Sequence, residues 1–163
     1  MNTLKLSELI GQEIVELRFH YVPENENGLQ SFHSYIKLAN DAVIDIPHFD
    51  DDDYLELNQD NLDYLKKMFD TGDPVNDKAK TYFAGQKIAD FYFSYYNDEV
   101  DFDYPAIIKL SNNYYLTENN FGPVGLTNID LIILDEKQFT ERIKWLNEIE
   151  VDIRSFVKTK NIC

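Results

Sequence analysis

The chain has 163 residues, of which 30 are acidic and 15 are basic, so its formal net charge is −15 and its isoelectric point is near 4.4. This charge repels nucleic-acid phosphates and anionic membranes, so neither is an expected partner. The chain is 44% hydrophobic and 14% aromatic, which favours a folded domain over a disordered segment.

An internal similarity relates two parts of the chain. Residues 11–21 align with residues 85–95 at five of eleven positions, and residues 35–41 align with residues 107–113 at four of seven. We therefore predict a single α+β domain, residues 1–163, made of two tandem repeats at about 1–74 and 75–163. Its strands should be mostly antiparallel. The alternative is that unrelated strands share common residues.

Each repeat is predicted to begin with a short helix that ends at a glycine, Gly11 or Gly85, because glycine adopts a positive φ without strain. A strand follows each glycine. A second strand is predicted to end near Leu38 and near Leu110, where a turn led by asparagine connects it to a third strand.

The alternation of side chains along the first of these strands predicts which of them share a face. It places Ile14 on the same face as Glu16 and Arg18. Val15 and Leu17 are then on the opposite face.

An amphipathic helix is predicted near the end of each repeat. Its apolar positions are Leu62, Leu65, Met68 and Phe69 in the first repeat and Phe139, Ile143, Trp145 and Leu146 in the second. Asn58 or Asp60, and Asp135, are the candidate N-caps. The alternation at residues 148–153 predicts a strand, and residues 154–163 are expected to fray.

The segment at residues 119–125 contains two glycines and a proline, which predicts a loop of defined backbone shape. Such a loop either lines a pocket or has only a structural role.

The chain has no catalytic or cofactor-binding motif such as G-x-S-x-G, G-x-G-x-x-G, a P-loop or H-E-x-x-H. His20 and His33 are expected to be near each other across a hairpin, as an acid–base or metal-binding pair or as two polar residues on a half-exposed sheet. His48 next to residues 50–53 suggests a divalent cation, but the glycine and glutamate of a calcium loop are missing. We therefore expect no catalytic residue, no metal site and no cofactor.

The acidic residues are concentrated in the first half of the chain. Residues 1–74 carry 16 acidic and 5 basic residues, against 14 and 10 in residues 75–163. Nine carboxylates lie between residues 41 and 63, a stretch without Lys or Arg. Concentrated like charge lowers stability, so this pattern favours a surface that attracts a basic protein. A solvated acidic loop and a mimic of nucleic-acid phosphates in a nuclease cleft fit the same pattern.

Aromatic residues adjoin both acidic runs, and acidic rims with aromatic anchors suit binding to Arg and Lys. The predicted partner-binding residues are Asp50, Asp51, Asp52, Asp53, Tyr54, Glu56, Asp98, Glu99, Asp101 and Asp103.

Two segments carry a resemblance of general type to a known group of proteins: YYLTENNFGPVGL at residues 114–126 and FDDDDY at residues 49–54. In these segments the chain resembles bacterial immunity proteins of contact-dependent and polymorphic toxin systems. The resemblance implies a protein that is not an enzyme and that binds and neutralises one cognate toxin domain.

Two other functions stay open. One is a small-molecule-binding protein or enzyme that uses His20 and His33, and the other is a structural oligomerisation module that adds strands across a dimer. We expect a cytoplasmic location, because the single cysteine precludes an intrachain disulfide and no signal peptide or membrane span is evident. The expected oligomeric state is a monomer or weak dimer.

Overall fold

In a computed structural model, which describes residues 3–46, 56–101, 104–126 and 128–160, the chain has a mixed α+β fold. The strands are β1 (Leu4–Lys5), β2 (Ile14–Val22), β3 (Leu29–Leu38), β4 (Val43–Asp45), β5 (Glu56–Leu57), β6 (Asp73–Pro74), β7 (Ile88–Tyr96), β8 (Glu99–Val100), β9 (Ile107–Leu110), β10 (Tyr115–Asn119), β11 (Phe121–Pro123), β12 (Asp130–Leu134) and β13 (Asp152–Ser155). The helices are α1 (Gln59–Asp70), α2 (Asp77–Phe83), α3 (Glu136–Glu148) and α4 (Phe156–Lys160), with a 3₁₀ helix at Leu6–Leu9.

Two antiparallel sheets organise these elements, which confirms the predicted class. The first sheet has the order β11-β3-β2-β6, and β4 also pairs with β3. The second has the order β12-β10-β9-β7-β13, and β8 also pairs with β7. Strand β11 therefore leaves the part of the chain that forms the second sheet and pairs in the first. The two strands β1 and β5 pair separately.

The two sheets are joined at the starts of β2 and β7, where Glu13 and Lys87 form an antiparallel bridge. Four backbone hydrogen bonds surround it: Gly11 N to Ile88 O (2.8 Å), Ile14 N to Gln86 O (2.8 Å), Gly85 N to Ile14 O (2.9 Å) and Ile88 N to Gln12 O (2.9 Å). Both glycines adopt the expected positive φ, 89° and 79°.

The main hydrophobic core draws side chains from both sheets. Leu17 and Ile36 of the first sheet and Phe91 and Ile108 of the second are fully buried in one cluster. Helix α1 packs Leu65 and Phe69 beside the first sheet, and α3 packs Phe139 and Leu146 beside the second. Among the described helices, none has both the length and the apolarity needed to cross a bilayer.

Local signals in the sequence located the turns at residues 41 and 113 and the starts of α1 and α3 correctly, whereas the short helix predicted at residues 81–84 is α2, which begins earlier, at Asp77. Asp41 and Asn113, in the turns led by asparagine, have φ angles of 67° and 66°. The side chain of Asn58 accepts a hydrogen bond from the amide of Asn61, so Asn58 rather than Asp60 is the N-cap of α1. Asp135 caps α3 in the same way.

The predicted alternation of side chains is wrong at the start of β2. Ile14 is fully buried in the core together with Leu17, whereas Val15 is 51% exposed. The register of β2 against β3 shifts between Ile14 and Glu16, and such a bulge adds one residue and reverses the faces. Strand β7 has the same irregularity after Ile88.

The C-terminal predictions also need correction. Helix α3 extends to Glu148, and the strand predicted at residues 148–153 is instead β13, because Glu150 takes a left-handed φ of 64° between the two elements. Part of the segment expected to fray forms α4, where Phe156 is buried against Phe91. Trp145, predicted on the apolar side of α3, is 51% exposed.

Candidate protein-binding surface

The longer predicted acidic run lies mostly beyond the part of the chain that the structure describes. Outside the described residues are His48, Asp50, Asp51, Asp52, Asp53, Tyr54 and Asp103. Glu56 is described; it is exposed in β5, opposite Lys5 of β1.

The second acidic run forms the hairpin between β7 and β8. Its turn residues, Asn97 and Asp98, both have positive φ, 52° and 62°, which suits the twist of a two-residue hairpin. The turn leaves Asp98 and Glu99 exposed. The backbone amide of Asp101 donates a hydrogen bond to the carbonyl oxygen of Ser94 at 2.8 Å.

Arg154 of β13 neutralises part of this acidic hairpin. Its Nη2 atom is 2.7 Å from Asp98 Oδ1, and its Nε atom is 2.8 Å from Asp152 Oδ2. Hydrogen bonds to Asp152 and Asp98 raise the pKa of the Arg154 guanidinium. The hairpin belongs to the second sheet and Glu56 to the small β1–β5 pair, so the described acidic residues occupy two places in the fold.

His20 and His33 are directly opposite each other in β2 and β3, as predicted. The Nε2 atom of His20 is 2.7 Å from the carbonyl oxygen of Met68, to which it donates a hydrogen bond. Because Met68 is in the last turn of α1, this contact attaches the helix to the sheet. In the described ranges, no three His, Cys, Asp or Glu side chains are grouped to hold a metal ion.

An open cavity of about 240 Å³ adjoins α1 and carries both signs of charge. It is lined by Lys37, Asp41, Val43, Lys66, Phe69 and Asp70. Lys37 Nζ is 3.9 Å from Asp41 Oδ1 and 5.8 Å from the centre of the Phe69 ring. The charges in this cavity are thus partly matched by one another.

Pairing of β11 with β3 creates a surface that the sequence analysis missed. Val22 and Phe121 are each directly opposite Ser31, and Pro123 is opposite Leu29. Directly opposed residues share one face of a sheet, so these side chains form a row. Val22 is 44% exposed and Phe121 58%.

The turn after β11 extends this row with two further exposed side chains, Val124 at 45% and Leu126 at 84%. We call the exposed residues Val22, Phe121, Pro123, Val124 and Leu126 the β11 patch. The patch includes part of the segment predicted as a shaped loop at residues 119–125, of which residues 121–123 are in fact a strand.

The two chain segments that form the β11 patch carry charge of one sign. Residues 19–36 and residues 110–136 contain no Lys or Arg. Glu24 and Glu26 are exposed in the connection from β2 to β3, and Asp130 is exposed opposite Asn119. The two stretches without basic residues are visible in the sequence, but they come together only in the fold, through the β3–β11 pairing and the hydrogen bonds from Ser34 to Glu118 and from Phe32 to Asn120.

Comparison of the chain with models of protein families, with curated protein sequences and with solved structures finds no match. Functional conclusions therefore depend on the chain's own residues and geometry.

Proposed function

We propose that this protein binds a basic protein partner and neutralises it, in the manner of an immunity protein that inhibits a bacterial toxin domain, such as a nuclease. One observation carries the proposal: residues 19–36 and 110–136, which meet where β3 pairs with β11, contain no Lys or Arg and present exposed carboxylates at Glu24, Glu26 and Asp130. Like charges that lack counterions repel one another, and a basic surface placed against them removes that repulsion.

The connection that presents Glu24 and Glu26 is held in shape by Asn25. The Asn25 amide donates a hydrogen bond to Leu29 O at 2.7 Å, and its side-chain Oδ1 accepts hydrogen bonds from the amides of Asn27 (2.8 Å) and Leu29 (3.1 Å). An ordered loop loses little conformational entropy when a partner binds. This order supports a binding role for the two carboxylates.

The predicted acidic residues are part of the proposal as a second region that attracts the partner over a distance. Glu56, Asp98 and Glu99 are exposed. The ion pair with Arg154 reduces the contribution of Asp98, so we expect Glu99 and the run at residues 50–53 to contribute more. Binding rather than catalysis is proposed because the His20 ring nitrogen is already engaged by the helix backbone. A cytoplasmic location belongs to the same proposal.

We further propose that the two halves of the chain are copies of one unit. The reciprocal hydrogen bonds around Glu13 and Lys87 support this, as do the bulges after Ile14 and Ile88. In each half, a strand that follows the long helix, β6 or β13, returns to pair with the strand that follows the glycine.

The proposed function is tested by measuring binding to the candidate toxin, the protein encoded by the neighbouring gene. The measurement is biolayer interferometry at low and high salt. We expect binding whose association rate falls as salt rises. The double variant Glu24→Gln/Glu26→Gln should lower the association rate about threefold at low salt, because these charges steer the encounter. A variant with Asn at all four positions 50–53 should weaken association further.

The matched control is Glu141→Gln/Glu148→Gln, which removes two exposed carboxylates from α3. It should change the association rate less than the first double variant. Absence of binding, or binding that does not depend on salt, would show that the proposed function is wrong.

A further inference from the structure

The β11 patch differs from the other exposed apolar side chains of this protein. Tyr64 and Trp145 are also about half exposed, and Ile149, the C-cap of α3, follows Trp145 by one helical turn. The exposed residues of these helices, however, include Lys66, Lys67 and Lys144. Exposed apolar residues interspersed with charged ones are common on protein surfaces. The members of the β11 patch are contiguous, and contiguous exposed apolar residues are typical of interaction sites.

The register of the sheet gives the patch its dimensions. Val22 and Phe121 lie on the two strands that flank β3, so their Cα atoms are about 10 Å apart, twice the usual spacing between strands. Leu29 and Pro123 extend the same face by one residue pair toward the turn that carries Leu126. This area suits one or two apolar side chains of a partner.

Hydrogen bonds fix β11 in place beneath the patch. The hydroxyl group of Tyr21 donates to Gln30 Oε1 at 3.0 Å, and Gln30 Nε2 donates to the Pro123 carbonyl oxygen at 3.3 Å. The Phe32 amide donates to Asn120 O at 3.0 Å. The surface is therefore formed before a partner arrives, which lowers the cost of binding.

The charge around the patch selects its occupant. A second copy of this chain would bring Glu24, Glu26 and Asp130 toward the same three carboxylates, with no cation among residues 19–36 or 110–136 to offset them. A basic partner meets no such repulsion.

We infer that the β11 patch is the docking surface for the basic partner. That partner presents an apolar side chain surrounded by Arg or Lys, so that the apolar group packs on Phe121 and Leu126 while the cations meet Glu24 and Glu26. This inference rests on the proposed function and adds to it the place and chemistry of the contact. Central apolar anchors inside a charged rim are the usual arrangement of a binding hot spot.

Two substitutions in the patch test this inference against the product of the neighbouring gene. Phe121→Ser and Leu126→Ser should each weaken binding, by about 30-fold and about 10-fold, mainly through faster dissociation. The salt dependence of the association rate should not change. Leu126 is 84% exposed, so its replacement should leave the melting temperature unchanged and isolate the loss of contact.

The matched control is Trp145→Ser on α3, another large exposed apolar side chain, which should change the dissociation constant less than about twofold. If both patch variants bind like the wild type while Glu24→Gln/Glu26→Gln weakens binding, the docking surface is wrong and the proposed function stands. If the wild-type chain does not bind, both are wrong.

A second copy of this chain is the other possible occupant of the patch. Sedimentation velocity of the wild-type chain over a dilution series tests for it. We expect a monomer at all concentrations. A dimer that dissociates in the Leu126→Ser variant would assign the patch to a second copy of this chain and overturn the inference.

Discussion

The faces on which α1 and α3 pack have different chemistry, although each helix lies beside an antiparallel sheet. Beside α3, the Tyr115 and Phe139 rings stack with centroids 3.8 Å apart, within a cluster that includes Ile107 and Leu134. Beside α1, Arg18 and Lys37 approach the ring of Phe69, with distances to its centre of 4.5 Å and 5.8 Å.

Two carboxylates at the bulges illustrate the same difference. Glu16 of β2 is partly exposed and pairs with Arg18 at 3.3 Å. Asp90 of β7 is buried; it accepts a hydrogen bond from the Ser155 hydroxyl group and another, at 3.0 Å, from the Val157 amide at the start of α4.

The two sheets therefore use their helix-covered faces differently. The second sheet uses its helix-covered face for apolar packing and for attaching the C-terminal segment. The corresponding face of the first sheet has charged side chains, an open cavity and, beyond the helix, the β11 patch. We therefore expect substitutions on the face beside α3 to lower stability more than substitutions on the face beside α1.

The largest expected effect is on stability, at the aromatic stack beside α3. Phe139→Ala should lower the free energy of unfolding by about 4 kcal/mol, because it leaves a cavity against Tyr115. Phe139→Leu keeps most of the volume and should cost about 1 kcal/mol. Urea unfolding followed by circular dichroism measures both. Equal costs for the two variants would contradict close packing at this stack.

A smaller effect is expected at the two carboxylates. Asp90→Ala should cost about 3 kcal/mol, because it leaves donors at Ser155 and Val157 without their acceptor. Glu16→Ala should cost less than about 1 kcal/mol, since partly exposed ion pairs contribute little. Hydrogen exchange should show faster exchange of the α4 amides in the first variant alone. Similar exchange in both variants would remove the distinction between the two faces.

The smallest effect concerns pH. Burial raises the pKa of Tyr35, near α1, and of Tyr115, near α3, above the usual value of 10.0; Tyr64 adds to the first shift and a hydrogen bond to Glu136 adds to the second. Below pH 10 both phenols are protonated in the folded and unfolded states, so their stabilisation is fully present. Above it, the unfolded chain loses these protons first, and stability falls by up to about 1.4 kcal/mol per pH unit for each tyrosine.

Unfolding experiments at about pH 9 and about pH 11 measure how far the free energy of unfolding falls between the two pH values. This loss should be smaller by about 1 kcal/mol in Tyr115→Phe than in the wild type. Tyr35→Phe should behave similarly, so that the two faces are equal in this one respect. Tyr96→Phe, at a 46% exposed site, is the control and should leave the loss unchanged. A wild-type chain equally stable at both pH values would contradict the burial of the two phenols.

Features that depend on neighbouring residues could be predicted from the amino-acid sequence. The positive φ at Gly11 and Gly85, the N-caps at Asn58 and Asp135, and the α+β class were all predictable, because a few adjacent residues set backbone preferences and periodicity. The opposition of His20 and His33 followed in the same way from one hairpin.

Features that depend on distant residues could be read only from the folded chain. The bulge at Ile14 arises from register against β3, and the pairing of β11 with β3 joins segments about 90 residues apart. Arg154 meets Asp98 across the second sheet. Strand alternation has a period of two residues, so a single inserted residue reverses a face, and no local pattern records which remote strand will be the neighbour.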